Sequence, residues 1–439
     1  MKIDITILGG GISGLSCAYF LQQRNPKLNL LLLEPRSSLG GWIQSITLPS
    51  GQNYETGPRT LRLRGESALS TNKLITSLGL ENEVIKAAKT SHSRYVILDG
   101  IPTPLPEGFS DLFCTKTGRE LARLSFLEPF RKKGSPEDES VASFFSRRAP
   151  SPLVAKLADA LVTGIWAARA DDLSIYHTFP EMKEWELSFG STLIGGIRAA
   201  FSKKEKPKIR GICSFKKGLS QLVDALQEKL SIPMHINTII DKIGPNNTLH
   251  TSLGPIKSEK IVFALPEKDL NKLAPQFSKE SFPHTSIASV TMGWEEDLLS
   301  QKGFGTLAPE IEDASVLGII YDSCLFPEHN TYMKTRLTVL IGGARWPEAV
   351  DESDETLFDL ALSRILKWTG ITKAPTEYKV LRAKNCIPHP PVGASRPTPF
   401  LQSPCATQFA INPAIGGVSV NNCIHSAHML TTVLATDTN

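Results

Sequence analysis

The chain has little of several things, and each scarcity narrows what it can be. Its seven cysteines are scattered singly, with no Cys-x-x-Cys pair. An odd, dispersed set speaks against a disulfide framework and for a reducing compartment with mostly buried thiols. No stretch reaches the ~18–20 consecutive apolar residues that cross a bilayer. Asp4 also interrupts the apolar residues near the start, so neither a spanning helix nor a signal segment is expected. Charge of one sign is scarce as an excess: 48 Lys and Arg stand against 44 Asp and Glu, a net of +4. That surplus is too small for a nucleic-acid binder. No Ser/His/Asp set stands out, and His389 in Ile387-Pro388-His389-Pro390 has no visible partner. His425 and His428 share a helix face, but no nearby Cys or acid completes a site, so no metal is expected.

What is present is an ordinary globular composition, 41% hydrophobic and 21% charged over 439 residues. That length suits two or three domains. Its most informative segment is Ile5-Thr6-Ile7-Leu8-Gly9-Gly10-Gly11-Ile12-Ser13-Gly14-Leu15. A β run enters a Gly-rich turn, an apolar-periodic helix follows, and a second β run, Leu30 to Leu33, ends in Glu34. The turn glycines let backbone approach a pyrophosphate. The helix N-terminus offers free N–H groups to that anion, and the acid can bind ribose hydroxyls. Glu34 argues against a 2′-phosphate, which favours FAD or NAD over NADP. Two further loops look ligand-facing. Gly40-Gly41-Trp42 would let the chain pass close to a ring or pyrophosphate, and Glu55-Thr56-Gly57-Pro58-Arg59-Thr60 would put amides and Arg59 at a phosphate or ring edge. Gly416-Gly417-Val418 precedes a helix-like tail, whose N–H groups would face an anion.

Along the chain, α/β texture to about residue 88 gives way to a hairpin at Arg94–Pro102 and then to a mainly helical region. Lys203 to Lys208 reads as a solvated loop. Strands and a helix return from Phe215, β runs dominate from Ser286, and a helix is expected over Glu355–Trp368. The fold class read from this is α/β. A discontinuous Rossmann-like FAD-binding domain is expected over residues 1–89, 211–285 and 381–439. A helical insertion over 90–210 would shape a substrate cavity and touch a membrane, and 286–380 would be a substrate-binding β-sheet domain.

With these residues assembled, the chain resembles the protoporphyrinogen oxidase family of FAD enzymes nearly end to end. The likeness rests on Leu8 to Leu15, Leu39-Gly40-Gly41-Trp42-Ile43, Glu55 to Arg59, Phe215-Lys216-Lys217-Gly218-Leu219, Gly303-Phe304-Gly305, Tyr321-Asp322-Ser323-Cys324-Leu325-Phe326-Pro327 and Gly417 to Ile424. The resemblance implies noncovalent FAD, held at Gly9, Gly10, Gly11, Ile12, Ser13, Gly14, Glu34, Pro35, Trp42, Gly57, Pro58, Arg59, Thr60, Ile239, Val418, Ser419 and Val420. It implies that Arg94 faces a substrate propionate and that the Gly164 carbonyl accepts a proton. The implied reaction is oxidation of a porphyrinogen in haem biosynthesis, with dioxygen or another acceptor reoxidising the flavin. Peripheral contact with the inner face of a membrane, a cytoplasmic location and a homodimer are compatible with it. The chain departs from the family at His389-Pro390, where Gln-Tyr is usual, and at His425, where an acid usually follows Cys-Ile. Three alternatives stay open at this point: a coproporphyrinogen oxidase, an amine oxidase, and an FAD-binding protein without oxidase activity.

Overall fold

A computed structural model describes residues 2–107, 111–201, 207–277 and 282–436. Lys203 to Lys206 of the expected solvated loop therefore lie outside the described residues. Two sheets organise the chain. The first is built on parallel strands. Ile3–Leu8 pairs with Leu30–Leu33 on one side and with Gly254–Phe263 on the other, Met234–His235 extends one edge, and Gln408–Ala410 runs parallel to Gly254–Phe263. The central strands carry no alternation: Leu30 to Leu33 are buried throughout. That is the signature of a strand covered on both faces. The helix Ile12–Arg24 covers one face, buried along most of its length, and Val420–Thr436 shares that core. Leu8, Leu33, Ile261 and Phe263 pack into a second core on the other face.

The second sheet has seven strands in the order Glu377–Pro388, His284–Trp294, Thr335–Gly342, Val316–Ile320, Gly305–Leu307, Arg94–Leu98, Ile101–Pro104. Asp354–Thr369 packs on it through Leu357, Ala361, Ile365 and Trp368, spaced to form one apolar stripe. This helix begins where the Ser353 hydroxyl accepts the Thr356 N–H and ends at Gly370, left-handed at φ +75°. Its start matches the expected one within two residues. The expected hairpin at Arg94 is the edge of this sheet, and the boundary expected at residue 381 falls inside Glu377–Pro388, which pairs with His284–Trp294. Ladder hydrogen bonds keep both segments in the second sheet.

Between the sheets, residues 111–201 form short helices held by buried charges. Arg148 donates from Nε to Glu128 Oε1 at 2.8 Å and from Nη2 to the Gly190 carbonyl at 3.0 Å. Lys183 donates to Glu139 Oε1 at 2.7 Å, and Arg147 pairs with both Glu139 and Glu186. Burial opposes the charged form of each glutamate. Hydrogen bonds from Ser191 and Arg148 outweigh it at Glu128, as do those from Arg147 at Glu139 and Glu186, so all three sit below the usual carboxylate range. Removing one partner of such a buried pair costs about 3–5 kcal/mol. Among the described residues no helix is long and apolar enough to cross a membrane.

The two tail histidines expected to share a face do so, but as a packing node. Ser70 Oγ lies 3.0 Å from His425 Nδ1 and 3.3 Å from His428 Nδ1, while Arg24 and Lys73 each approach His428 Nε2 at 3.3 Å. No metal-holding cluster occurs among the described residues. Burial, then Lys73, Arg24 and His425, push His428 down to about 4 from its ordinary 6.5. A histidine depressed in the fold stays neutral there while the unfolded chain takes up a proton, so stability is lost as pH falls from 6.5 towards 4. The melting temperature should accordingly fall between pH 7 and 5, and His428→Gln should flatten that slope. Calorimetry across this range checks it, and an unchanged slope would refute it.

Candidate functional site

Three of the segments expected to hold a dinucleotide follow carboxyl ends of parallel strands, where open α/β sheets bind ligands. Gly9 follows Leu8, Glu34 follows Leu33, and the segment to Ile239 follows His235. At Gly9, φ is +105°, and a Cβ would lie 2.4 Å from the Ala264 carbonyl oxygen. At Gly14 a Cβ would lie 1.9 Å from the Gly9 carbonyl oxygen. Those two glycines are fixed by packing of strand on helix. Gly11 differs: its backbone is extended (φ −74°, ψ −179°), and a Cβ there would meet nothing nearer than Gly41 Cα at 3.9 Å. Nothing inside the protein requires glycine at position 11, and the space beside it is open. The helix that follows has no side-chain cap and no acid in its first turn. Its leading N–H groups are left for an anion. The second glycine turn closes the cradle, because Gly40 N–H donates to the Gly10 carbonyl at 2.8 Å.

Glu34 is buried, and its two carboxylate oxygens accept the Gly10 N–H at 2.6 Å and the Arg36 N–H at 2.8 Å. An ionised carboxylate has about four lone-pair sites, so acceptor capacity remains for a diol. Backbone bonds from Thr238 N–H to the Glu34 carbonyl (3.0 Å) and from Asn237 N–H to the Arg36 carbonyl (2.9 Å) bring Ile239 to this end, where it is 59% exposed. Pro35 is exposed, and Arg36 stacks over the exposed Trp42 ring at 5.2 Å. The loop Gly57 to Thr60 crosses behind Trp42, since a Cβ on Gly57 would lie 2.1 Å from the Trp42 carbonyl oxygen. Arg59 points elsewhere than a phosphate: its Nη1 donates to Asp322 Oδ1 at 2.7 Å and to Thr338 Oγ1 at 2.9 Å, tying its loop to the second sheet. At the tail, Ser419 Oγ accepts the Asn422 N–H at 3.1 Å and so starts the helix Val420–Thr436. Val418 packs with Trp166, Phe179 and Met182.

The two residues expected on the substrate side meet at one strand. Gly305–Leu307 pairs Gly305 with Arg94 in parallel register, and a Cβ on Gly164 would lie 2.8 Å from Leu307 Cδ2. Gly164 is in the last turn of Pro152–Trp166, where helix carbonyls lack intrahelical partners. The Arg94 guanidinium carbon stands 5.8 Å from the Phe304 ring centre. Beneath this strand, Thr306 Oγ1 and the Tyr321 hydroxyl are 2.6 Å apart, and burial pushes that phenol up to about 12. Residue patterns gave no role to Asp322, Thr338 or Arg62. Asp322 lay inside a quoted motif, yet only the fold shows its pairing with Arg59. Arg62 carried one signal, the alternation Leu61-Arg62-Leu63-Arg64, which sends arginines to one face of a strand.

The chain is similar to known proteins along its whole length. The profile of the family described as flavin containing amine oxidoreductase matches residues 12–415. Protoporphyrinogen oxidase of Homo sapiens is 29% identical over 479 aligned residues, covering 100% of both chains. Coproporphyrinogen III oxidase of Bacillus subtilis (strain 168) is 25% identical, covering 96% of each. Among solved structures, a protein of Exiguobacterium sp. 255-15 superposes with a TM-score of 0.82 at 23% identity, covering 100% of this chain and 99% of that one. Cyclohexylamine oxidase from Brevibacterium oxydans IH-35A gives 0.73 at 16% identity, covering 100% and 99%.

The freedom around Gly11 separates folding from cofactor binding. Gly11→Asp puts a side chain and a negative charge where the pyrophosphate belongs, without an internal clash. The variant should keep the melting temperature of flavin-free wild type and emerge colourless. Gly14→Ala should lower that temperature whether or not flavin is supplied. Absorbance at the flavin bands, read beside thermal melts, checks both.

Proposed function

The chain belongs to the flavin containing amine oxidoreductase family, and on that footing we propose that it oxidises protoporphyrinogen IX to protoporphyrin IX in haem biosynthesis. It is an FAD-dependent oxidase. When bound, FAD supplies the electron acceptor, and dioxygen or another oxidant restores it. The residues of the cradle fit that cofactor. The uncapped helix after Gly11 would take the pyrophosphate, Glu34 and Ile239 the ribose and adenine end, and Gly57 to Thr60 with Val418 to Val420 the ring end. FAD is held noncovalently in this reading.

The observation that carries the substrate assignment is the convergence of Arg94 and Gly164 on Gly305–Leu307. A porphyrinogen is apolar in its ring and anionic at its propionates. Arg94 would hold a propionate in bidentate fashion. Leu307 and the apolar flank of Gly164 would pack against the macrocycle and exclude water. The Gly164 carbonyl would accept a pyrrole N–H, orienting the ring and easing loss of that proton. No charged base is needed for this. Full-length similarity to protoporphyrinogen oxidases supports the reading over an amine oxidase.

The test begins anaerobically. Protoporphyrinogen IX mixed with flavin-replete protein should bleach the flavin by two electrons, and admitting dioxygen should then restore the flavin and yield porphyrin fluorescence as the remaining four electrons leave. A flavin that stays oxidised overturns the proposal, and faster bleaching by coproporphyrinogen III moves the assignment to that substrate. Arg94→Ala should retain its flavin yet lose roughly ten- to a hundredfold in kcat/KM, the worth of one charge-assisted contact. Arg94→Lys should recover only part.

Peripheral membrane contact through residues 111–201 belongs to the same proposal. Every exposed phenylalanine among the described residues lies in this segment, with Phe126, Phe130 and Phe201 at 72%, 79% and 83% exposed. An apolar cavity of about 330 Å³ opens beside Leu121, Leu161 and Leu193. Arg131, Lys132 and Lys133 stand exposed beside Phe130. Each such cation adds about 1 kcal/mol near an anionic surface. The protein should float with anionic liposomes, and replacing those three cations by Ser should reduce the floated fraction. Unchanged flotation would exclude this face.

A further inference from the structure

We propose that Arg62 and Arg94 form a two-arginine clamp beside Phe304, with Arg62 taking the second propionate of the substrate. This rests on the porphyrinogen reading above.

Arg62 is the middle residue of Leu61–Leu63. Leu61 and Leu63 are each 1% exposed and belong to the core beneath the first sheet, so Arg62 projects from the opposite face. The strand register says what that face meets. Arg62 lies opposite Ile212 on Gly211–Phe215, and Ile85 lies opposite Ser214 on the same strand. Directly opposed residues of an antiparallel pair share a face. Ile212 and Ile85 pack in one cluster with Phe304, the ring over which the Arg94 guanidinium stands at 5.8 Å. Two strands from two different sheets thus direct arginines at the surroundings of one phenylalanine.

Arg62 and Arg94 are both exposed, and among the described residues neither makes an ion pair. Desolvation, then the like charges of Arg94 and Arg64, weaken the charged state of Arg62, and Glu181 only partly offsets them. An arginine does not deprotonate in a protein. Neighbouring guanidiniums held together therefore carry an electrostatic cost that an anion would relieve. Two propionates on adjacent pyrroles are such an anion pair, and the ring edge between them is apolar. The Phe304 ring beside Arg94 suits that edge, and the planar fork of each guanidinium suits a carboxylate.

The experiment uses flavin-replete protein and two probes, protoporphyrin IX and its dimethyl ester, which has the same ring and no charge. Binding is followed by tryptophan fluorescence quenching, independently of turnover. Wild type should bind the diacid more tightly than the ester. Arg62→Gln and Arg94→Gln should each weaken the diacid roughly tenfold and leave the ester unchanged. The double variant should bind both probes alike. Arg62→Met, which keeps the aliphatic stem, serves if the Gln variant loses flavin or melts early. If Arg62 variants weaken both probes equally, or neither, the clamp is overturned while the porphyrinogen reading stands. If wild type binds neither probe, that reading fails and the clamp with it.

Discussion

The ion pair between Arg59 and Asp322 is the constraint on which the working geometry depends. Arg59 leaves the cofactor-side loop Gly57 to Thr60, and Asp322 opens the short helix after Val316–Ile320 in the second sheet. Both side chains are nearly buried, 13% and 12% exposed. Thr338 Oγ1 completes the contact at 2.7 Å from Asp322 Oδ2. Away from water, neither charge tolerates loss of the other. The pair therefore fixes the distance between the loop that would line the flavin and the sheet that would carry the substrate. A reaction between two bound molecules needs that distance set before either arrives.

The same economy governs the glycines. A glycine-rich turn is easily taken as a single device, but the turn here divides its labour. Gly9 and Gly14 are small because backbone lies against them, and Gly10 because Leu39 and Glu34 do. Gly11 is small with open space before it. The first kind lets a parallel strand and its helix pack closely. The second keeps an uncapped helix terminus accessible.

The helical segment solves a different problem. Short helices cannot stand alone, since each has too few turns to offset nucleation. Here Arg147, Arg148 and Lys183, with Glu128, Glu139 and Glu186, tie them from within. Ionic tethering leaves their outer apolar residues free of internal duty, and Phe126, Phe130 and Phe201 stand in solvent accordingly. Gly164 lies on the longest of these helices, with Leu307 packed against its Cα side.

Much of this protein was determined by local sequence. The β run, glycine turn, helix and terminal acid of residues 5–34 specify a parallel unit with an uncapped helix start, because each requirement is met by neighbours in the chain. The helix Asp354–Thr369 was legible from its stripe and caps for the same reason. Tertiary structure alone decided the rest. Arg59 reads as a phosphate ligand until the second sheet supplies Asp322, 263 residues away. Glu377–Pro388 reads as a return to the first domain until its hydrogen bonds with His284–Trp294 claim it for the second. Arg62 has no visible link to Arg94 until strand pairing sets its neighbour Ile212 in the cluster of Phe304, over which Arg94 stands. Periodicity encodes which face of an element is buried, but what that face meets depends on contacts distant in sequence, and those exist only once the chain has folded.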